Sequence, residues 1–146
     1  MASHPANHAW RTRSTIAVVD DDEDIREVVC EALHDEGYRT LGASNGQEAL
    51  TLLQTSHEQP SLILLDLMMP VMDGWEFLLN ISEDPRFRQI PVALMSAHPS
   101  VRRGFDGDQE KYGFTRLLVP KPLDFTRLLS MVRSVCLASQ ATPQPS

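Results

Sequence analysis

The chain has 146 residues, a length that suits one domain built around a single hydrophobic core. Its formal net charge of −7 argues against direct binding to nucleic-acid phosphates as the main activity, because nucleic-acid binders usually carry a basic face. No apolar run is long enough for a transmembrane helix, and the N-terminus lacks the apolar core of a signal peptide, which predicts a soluble, cytoplasmic protein.

Both ends of the chain have the polar, proline-containing composition of disordered tails. Such segments carry too little apolar surface to offset the entropy lost on folding. We therefore expect a disordered N-terminal tail at 1–14, a folded domain at 15–138 and a disordered C-terminal tail at 139–146.

Within the folded domain, the first predicted strand covers 15–19. From Ile25 onward, apolar residues recur at i, i+3, i+4, i+7 and i+8, which is the spacing of one helix face. Asp22 or Asp24 is expected to cap this helix at its N-terminus, and Gly37 suits its C-terminal end.

The middle of the chain continues the alternation of strands and helices. A second strand is predicted near 39–43, and the helix after it is expected to begin with a capping box formed by Ser44 and Gln47. The third strand covers 62–65, and Asp73 is predicted to cap the helix that follows.

The last third of the chain supplies two more strands and a final helix. These strands are predicted at 91–95 and about 114–119, and Phe125 opens the apolar face of the last helix. Between the strands, residues 99–112 give a weak helical signal because they contain two glycines. The alternation predicts a doubly wound α/β fold, a five-stranded parallel sheet with helices on both faces.

Four of the predicted strands end in polar side chains. Acids at 20–22, Asp66, Ser96 and Lys121 follow the first, third, fourth and fifth strands. We expect them to converge, because ligands of open α/β sheets bind at the carboxyl ends of the strands. Crowded carboxylates repel one another and favour a divalent cation such as Mg²⁺. With such an ion, Asp66 would serve as a nucleophile, Ser96 as a hydrogen-bond donor to a transferred phosphoryl group and Lys121 as its counter-charge.

These motifs resemble those of the receiver domains of two-component response regulators, the CheY-like family. The resemblance runs from about 15 to 137 and rests on four segments in order: 17–22, 64–74, 95–97 and 121–122. It implies a flavodoxin-like (βα)5 fold with strand order 2-1-3-4-5.

The resemblance also implies a phosphoacceptor and a metal site. Asp66 is implied as the phosphoacceptor. The implied ligands of Mg²⁺ or Mn²⁺ are the carboxylates of Asp20, Asp21 and Asp66 and the backbone carbonyl of Met68. Ser96 is implied as the switch hydroxyl, and Lys121 as the phosphate-sensing lysine before a cis proline.

The function implied by the resemblance is phosphotransfer signalling. A sensor histidine kinase or a histidine phosphotransfer protein would donate the phosphoryl group to Asp66. The domain would not be a conventional enzyme, although it would assist its own Mg²⁺-dependent phosphotransfer and dephosphorylation. As a single-domain regulator, monomeric or weakly dimeric, it would signal to a downstream target protein by contact, without direct binding to nucleic acid or membrane.

Two features depart from the family pattern. An aromatic residue on the fifth strand usually reports the switch, and here Leu117 or Leu118 takes that place. The stretch from Ser96 to Lys121 is longer than usual, and Pro120 directly precedes the lysine. An altered output surface is therefore expected.

Three other functions fit parts of the sequence. A receiver-like interaction module that works without phosphorylation is the main alternative. A haloacid-dehalogenase-type phosphatase would have an acid two residues after its nucleophile, where Met68 stands. A flavodoxin would bind phosphate after the first strand, where the acids at 20–24 would repel it.

Overall fold

The computed structural model describes residues 14–96 and 116–141, with side chains in the second range from 119 to 138. The predictions for 1–13 and 142–146, and the weak helical prediction at 99–112, lie outside the described residues.

Five parallel strands form one sheet. In chain order they are β1 (Thr15–Val19), β2 (Arg39–Ala43), β3 (Leu62–Asp66), β4 (Val92–Ser96) and β5 (Arg116–Pro120). Their order across the sheet is β2-β1-β3-β4-β5, which confirms the predicted topology. The strands β3, β4 and β5 end one residue later than predicted, so that Asp66, Ser96 and Pro120 belong to them.

Four helices lie within the described residues: α1 (Glu23–Asp35), α2 (Gly46–Thr55), α3 (Gly74–Ser82) and α4 (Phe125–Ala141). The helix α4 continues three residues past the predicted end of the folded domain at 138. Alternate residues of a strand point to opposite faces of the sheet, so the buried strands supply two cores. One core packs β1 and β3 against α2 and α3, and the other packs them against α1 and α4.

The helix starts are fixed by side chains that accept backbone N–H groups. Asp22 caps α1 by accepting from the N–H of Ile25 at 3.1 Å, and Asp73 caps α3 as predicted. The predicted start of α2 was wrong by one residue, because Asn45 is the cap and its Oδ1 accepts from the N–H of Glu48.

The end of α1 has the left-handed geometry that glycine favours. Gly37 follows the C-cap with a φ of 94°, and its N–H donates to the carbonyl of His34. The predicted C-terminal boundary of this helix is therefore confirmed, and the chain turns there into β2.

Candidate functional site

Polar side chains meet where β1, β3, β4 and β5 end. Asp20 directly follows β1, Asp66 and Ser96 are the last residues of their strands, and Lys121 directly follows β5. Asp20, Asp66 and Ser96 are 0%, 6% and 8% exposed, so this edge of the sheet buries two carboxylates and a hydroxyl. Burial of this kind is costly unless partners are near.

Three carboxylates form a cluster at this edge. Oxygen atoms of Asp20, Asp21 and Asp66 all lie within 4.8 Å of one another, with Asp21 on the exposed side. The structure thus brings together the three acids that the sequence singled out. A compact set of carboxylate oxygens with one side open to solvent suits Mg²⁺, which takes oxygen ligands and keeps several waters.

Lys121 bridges the two buried carboxylates. Its Nζ lies 3.0 Å from Oδ2 of Asp20 and 3.6 Å from Oδ2 of Asp66. Burial lowers the pKa of Lys121, but the hydrogen bond to Asp20 and the charges of both carboxylates outweigh it and raise the pKa. The ammonium group is therefore charged and fixed between the acids.

The surroundings of Asp66 raise the pKa of its carboxyl group above the usual range of an aspartate. Burial, followed by the negative charge of Asp20, raises the pKa of Asp66 to about 6, against the lowering effects of the Met68 N–H and of Lys121. A desolvated carboxylate beside a like charge is a poor proton donor and a strong ligand for a cation. The three carboxylates together could hold a metal ion.

The main chain of the loop between β3 and α3 donates a hydrogen bond to the Asp66 carboxylate. The N–H of Met68 donates to Oδ1 of Asp66 at 3.2 Å. At Gly74, the first residue of α3, a Cβ atom would lie 2.7 Å from Cα of Leu67. Only glycine allows this close approach, so the loop returns tightly over the end of β3.

One position in this loop is strained. Val71 has a φ of 68°, a left-handed conformation that β-branched residues rarely adopt. The N–H of Met72 donates to the carbonyl of Pro70 at 2.7 Å, so the chain makes a three-residue turn around Val71. This turn lies in the loop that follows β3, four to six residues after Asp66.

Backbone contacts join the ends of β4 and β5. The N–H of Lys121 donates to the carbonyl of Ser96 at 3.1 Å, and Ser96 pairs with Pro120 in the sheet. The peptide bond between Lys121 and Pro122 is cis, as the resemblance implied. These contacts fix the backbone from which the Ser96 hydroxyl and the Lys121 ammonium project.

Comparison with known proteins identifies the family. The family model described as response regulator receiver domain matches residues 16–133, which is most of the chain. The chain belongs to the receiver domain family of two-component response regulators. Members of this family act in two-component signalling as phosphoacceptors and bind Mg²⁺ through acidic residues. Family membership removes the dehalogenase and flavodoxin alternatives.

Individual relatives agree with this assignment. This receiver domain is 35% identical to the response regulator Rre1 of Synechocystis over 88% of the chain, and it spans only 54% of the length of Rre1. It is 36% identical over 84% of the chain to an uncharacterised 14.6 kDa protein of Leptolyngbya boryana, of which it spans 90%. The chemotaxis regulator CheY4 of Vibrio cholerae superimposes with a TM-score of 0.72 at 29% identity, over 84% of this chain and 98% of CheY4.

The predicted output positions lie away from the carboxyl edge of this receiver domain. Leu117 and Leu118 stand in the middle of β5, opposite Ala93 and Leu94 of β4, and their side chains lie outside the described residues. Their predicted role in the switch stays a prediction. Among the described helices of the receiver domain, none has the length and apolar character needed to cross a membrane.

Sequence reasoning missed one residue of the site, Arg26. Its Nη1 donates to the backbone carbonyl of Asp20 at 2.8 Å. The sequence does place an arginine in the first turns of the helix that follows the acidic run. Its target is a main-chain oxygen, however, and helical periodicity gives no signal for such a contact.

Proposed function

We propose that Asp66 of this receiver domain accepts a phosphoryl group from a phosphohistidine of a sensor histidine kinase or a histidine phosphotransfer protein. The observation that carries this proposal is the position of the Lys121 ammonium between the buried carboxylates of Asp20 and Asp66. A phosphoryl group on Asp66 would meet a fixed positive charge there, as phosphoryl transfer requires.

The metal-binding role is assigned to the acidic cluster. Asp20, Asp21 and Asp66 supply carboxylate oxygens, and the backbone carbonyl of Met68 is proposed as a further ligand of Mg²⁺ or Mn²⁺. When bound, the ion supplies positive charge that offsets the charge of the transferred phosphoryl group. Asp21 is the exposed member of the cluster, and we expect the phosphodonor to approach from that side.

In the proposed transfer, one bond to phosphorus forms and one breaks. A carboxylate oxygen of Asp66 forms a bond to phosphorus while the bond from phosphorus to the histidine nitrogen breaks, and the electron pair returns to the imidazole ring. Lys121 neutralises one phosphoryl oxygen, and the hydroxyl of Ser96, at the end of the neighbouring strand, donates a hydrogen bond to another.

Phosphorylation would change the charge at the site and thereby the surface around it. The phosphoryl group adds a charge of about −1.5 to −2, which draws in the Lys121 ammonium and the Ser96 hydroxyl. Since both belong to the ends of β4 and β5, the change reaches the surface that these strands support. We propose that a downstream protein reads this surface by direct contact.

The test is phosphorylation by a small donor. Wild type incubated with acetyl phosphate and Mg²⁺ is expected to gain the mass of one phosphoryl group, which intact-protein mass spectrometry detects. Asp66→Asn is expected to gain none. Asp35→Asn, which removes an exposed carboxylate at the end of α1, serves as the matched control and should react as wild type does.

Two results would count against the proposal. Normal labelling of Asp66→Asn would show that the acceptor is another residue. An absence of labelling in wild type, together with unchanged partner binding in the presence of beryllofluoride and Mg²⁺, would favour the module that works without phosphorylation.

A further inference from the structure

Arg26 reaches from α1 to the main chain at the end of β1. Arg26 is the fourth residue of α1 and is half-buried. Its Nη1 donates to the carbonyl of Asp20 at 2.8 Å. Its aliphatic stem passes over β2, where a Cβ atom at Gly42 would lie 3.5 Å from Cδ of Arg26. The stem packing and the hydrogen bond together hold the guanidinium in one place.

Every polar group of Asp20 is held by a neighbour. Its N–H donates to the carbonyl of Ala43 at 3.0 Å, and its carbonyl accepts from Arg26. Its Oδ1 accepts from the N–H of Asp22 at 2.9 Å, and its Oδ2 accepts from Lys121 at 3.0 Å. Asp20 is fully buried, so each of these groups needs its partner.

The carbonyl that Arg26 holds belongs to the peptide unit joining Asp20 to Asp21. A peptide unit is planar, so fixing the direction of its carbonyl also fixes its N–H and the position of the next Cα atom. Within the described residues, no hydrogen bond to the Asp21 carboxylate is found, so the main chain sets the region that this carboxylate can reach.

We propose that Arg26 is a positioning residue for the metal site, which sets the Asp20–Asp21 peptide so that the Asp21 carboxylate stands beside those of Asp20 and Asp66. The inference rests on the proposed metal-assisted function. It assigns to Arg26 a role that runs through the main chain of Asp20 and not through contact with the ion or the phosphoryl group.

Positioning and simple charge predict opposite signs when Arg26 is removed. A positive charge near a cation site repels the cation, so loss of that charge alone would tighten metal binding. Loss of positioning would weaken it, because the Asp21 carboxylate would no longer be held near the other two.

The experiment measures Mg²⁺ affinity by competition with Mn²⁺, followed by electron paramagnetic resonance. Arg26→Met is expected to weaken Mg²⁺ binding about tenfold, the low end of the effect of outer partners of metal ligands. Arg26→Lys, which keeps a charged donor on a long stem, is expected to recover most of the loss. The control is Arg133→Met, which removes the exposed partner of Glu36 beyond the other end of α1 and should bind as wild type does.

A second measurement does not need the metal. In the metal-free protein, the amide nitrogen resonance of Asp21 reports the hydrogen bond at the preceding carbonyl, and it should shift in Arg26→Met but not in Arg133→Met. Should Arg26→Met fail to fold, Arg26→Gln carries the same test of sign, since Gln removes the charge and is too short to keep the contact.

The outcomes separate the inference from the function beneath it. Unchanged or tighter Mg²⁺ binding in Arg26→Met, or an unmoved Asp21 resonance, would overturn the positioning role and leave the proposed function standing. Wild type that binds no Mg²⁺ would overturn the proposed function, and the positioning role with it.

Discussion

The sheet has an amino edge, where its parallel strands begin, and a carboxyl edge, where they end. An ion pair is exposed at the first edge, and two carboxylates are buried at the second. At the amino edge, Arg39 forms an ion pair with Glu58, both side chains about half exposed, and Thr15 donates to the same carboxylate at 3.1 Å. At the carboxyl edge, the carboxylates of Asp20 and Asp66 are buried beside each other. Opposite charges in solvent add little to stability, whereas buried like charges cost stability unless a cation joins them. At the carboxyl edge Lys121 supplies one positive charge against the three carboxylates of Asp20, Asp21 and Asp66, so an excess of negative charge remains there for a further cation to offset.

Loss of Lys121 should produce the largest change. Lys121→Met leaves the two buried carboxylates without their bridging charge, so we expect the metal-free protein to lose about 2 to 4 kcal/mol of unfolding free energy. Mg²⁺ should restore more stability to this variant than to wild type. Urea unfolding with and without Mg²⁺ measures both effects, and equal Mg²⁺ stabilisation of the two proteins would contradict the bridging role.

Neutralising Asp66 should act in the reverse direction. Burial and the charge of Asp20 raise the pKa of Asp66 to about 6 in the folded protein, so the proton is held more tightly folded than unfolded. The stability that this proton provides is fully present below about pH 4 and is lost as the pH rises through about 6.

Asp66→Asn is therefore expected to be more stable than metal-free wild type by about 1 to 2 kcal/mol above pH 6, with a smaller difference near pH 4. Thermal unfolding across this pH range, with EDTA present, measures the difference. A pH-independent difference would show that the Asp66 charge is not its cause.

The turn around Val71 tests whether the carboxyl edge also stores backbone strain. Val71→Gly is expected to stabilise the protein by about 1 kcal/mol, because glycine adopts a φ of 68° without steric cost. Val71→Ala keeps the Cβ atom and should gain less. Equal gains in the two variants would place the effect in the exposed side chain and not in the backbone.

The amino edge should respond least. Arg39→Met is expected to cost about 0.5 kcal/mol or less, and the loss should shrink further in high salt, because the ion pair with Glu58 is exposed. Arg39→Met removes one positive charge from the amino edge, and Lys121→Met removes one from the carboxyl edge. The same urea titrations compare the two losses of unfolding free energy. If Arg39→Met lost as much unfolding free energy as Lys121→Met, the proposed difference between the two edges would be wrong.

The parts of the fold that depend on local pattern were predictable from the sequence. Short apolar runs, their polar ends and the cap at Asp73 follow from short-range rules, and the structure has them within one or two residues of the predicted positions. For α1 the sequence left the cap open between Asp22 and Asp24, and the structure has Asp22. Convergence of the strand ends followed from topology, since parallel strands share an edge.

The misses came from tertiary contacts. Ser44 and Asn45 are both good N-cap residues. The helix α2 begins after Asn45 because the main chain at Gly46 packs on the main chain of Met72. The N–H of Gly46 donates to the Met72 carbonyl at 2.9 Å, and a Cβ atom there would lie 2.8 Å from that oxygen. The contact of Arg26 with the Asp20 carbonyl was missed for the same reason, since no local rule anticipates it.

The ion pair of Asp20 with Lys121 also bears on how the protein is made. Its partners lie 101 positions apart in the sequence, and β3 and β4 separate their strands in the sheet. Contacts of such long separation form only after costly loop closure, and parallel pairing delays them further. On the ribosome, Asp20 and Asp66 emerge well before Lys121, so a nascent chain carries the acids before their counter-charge. The carboxylates gain the positive charge of Lys121 only once β5 has been synthesised and has docked on β4. The site is therefore complete only when the whole sheet has formed.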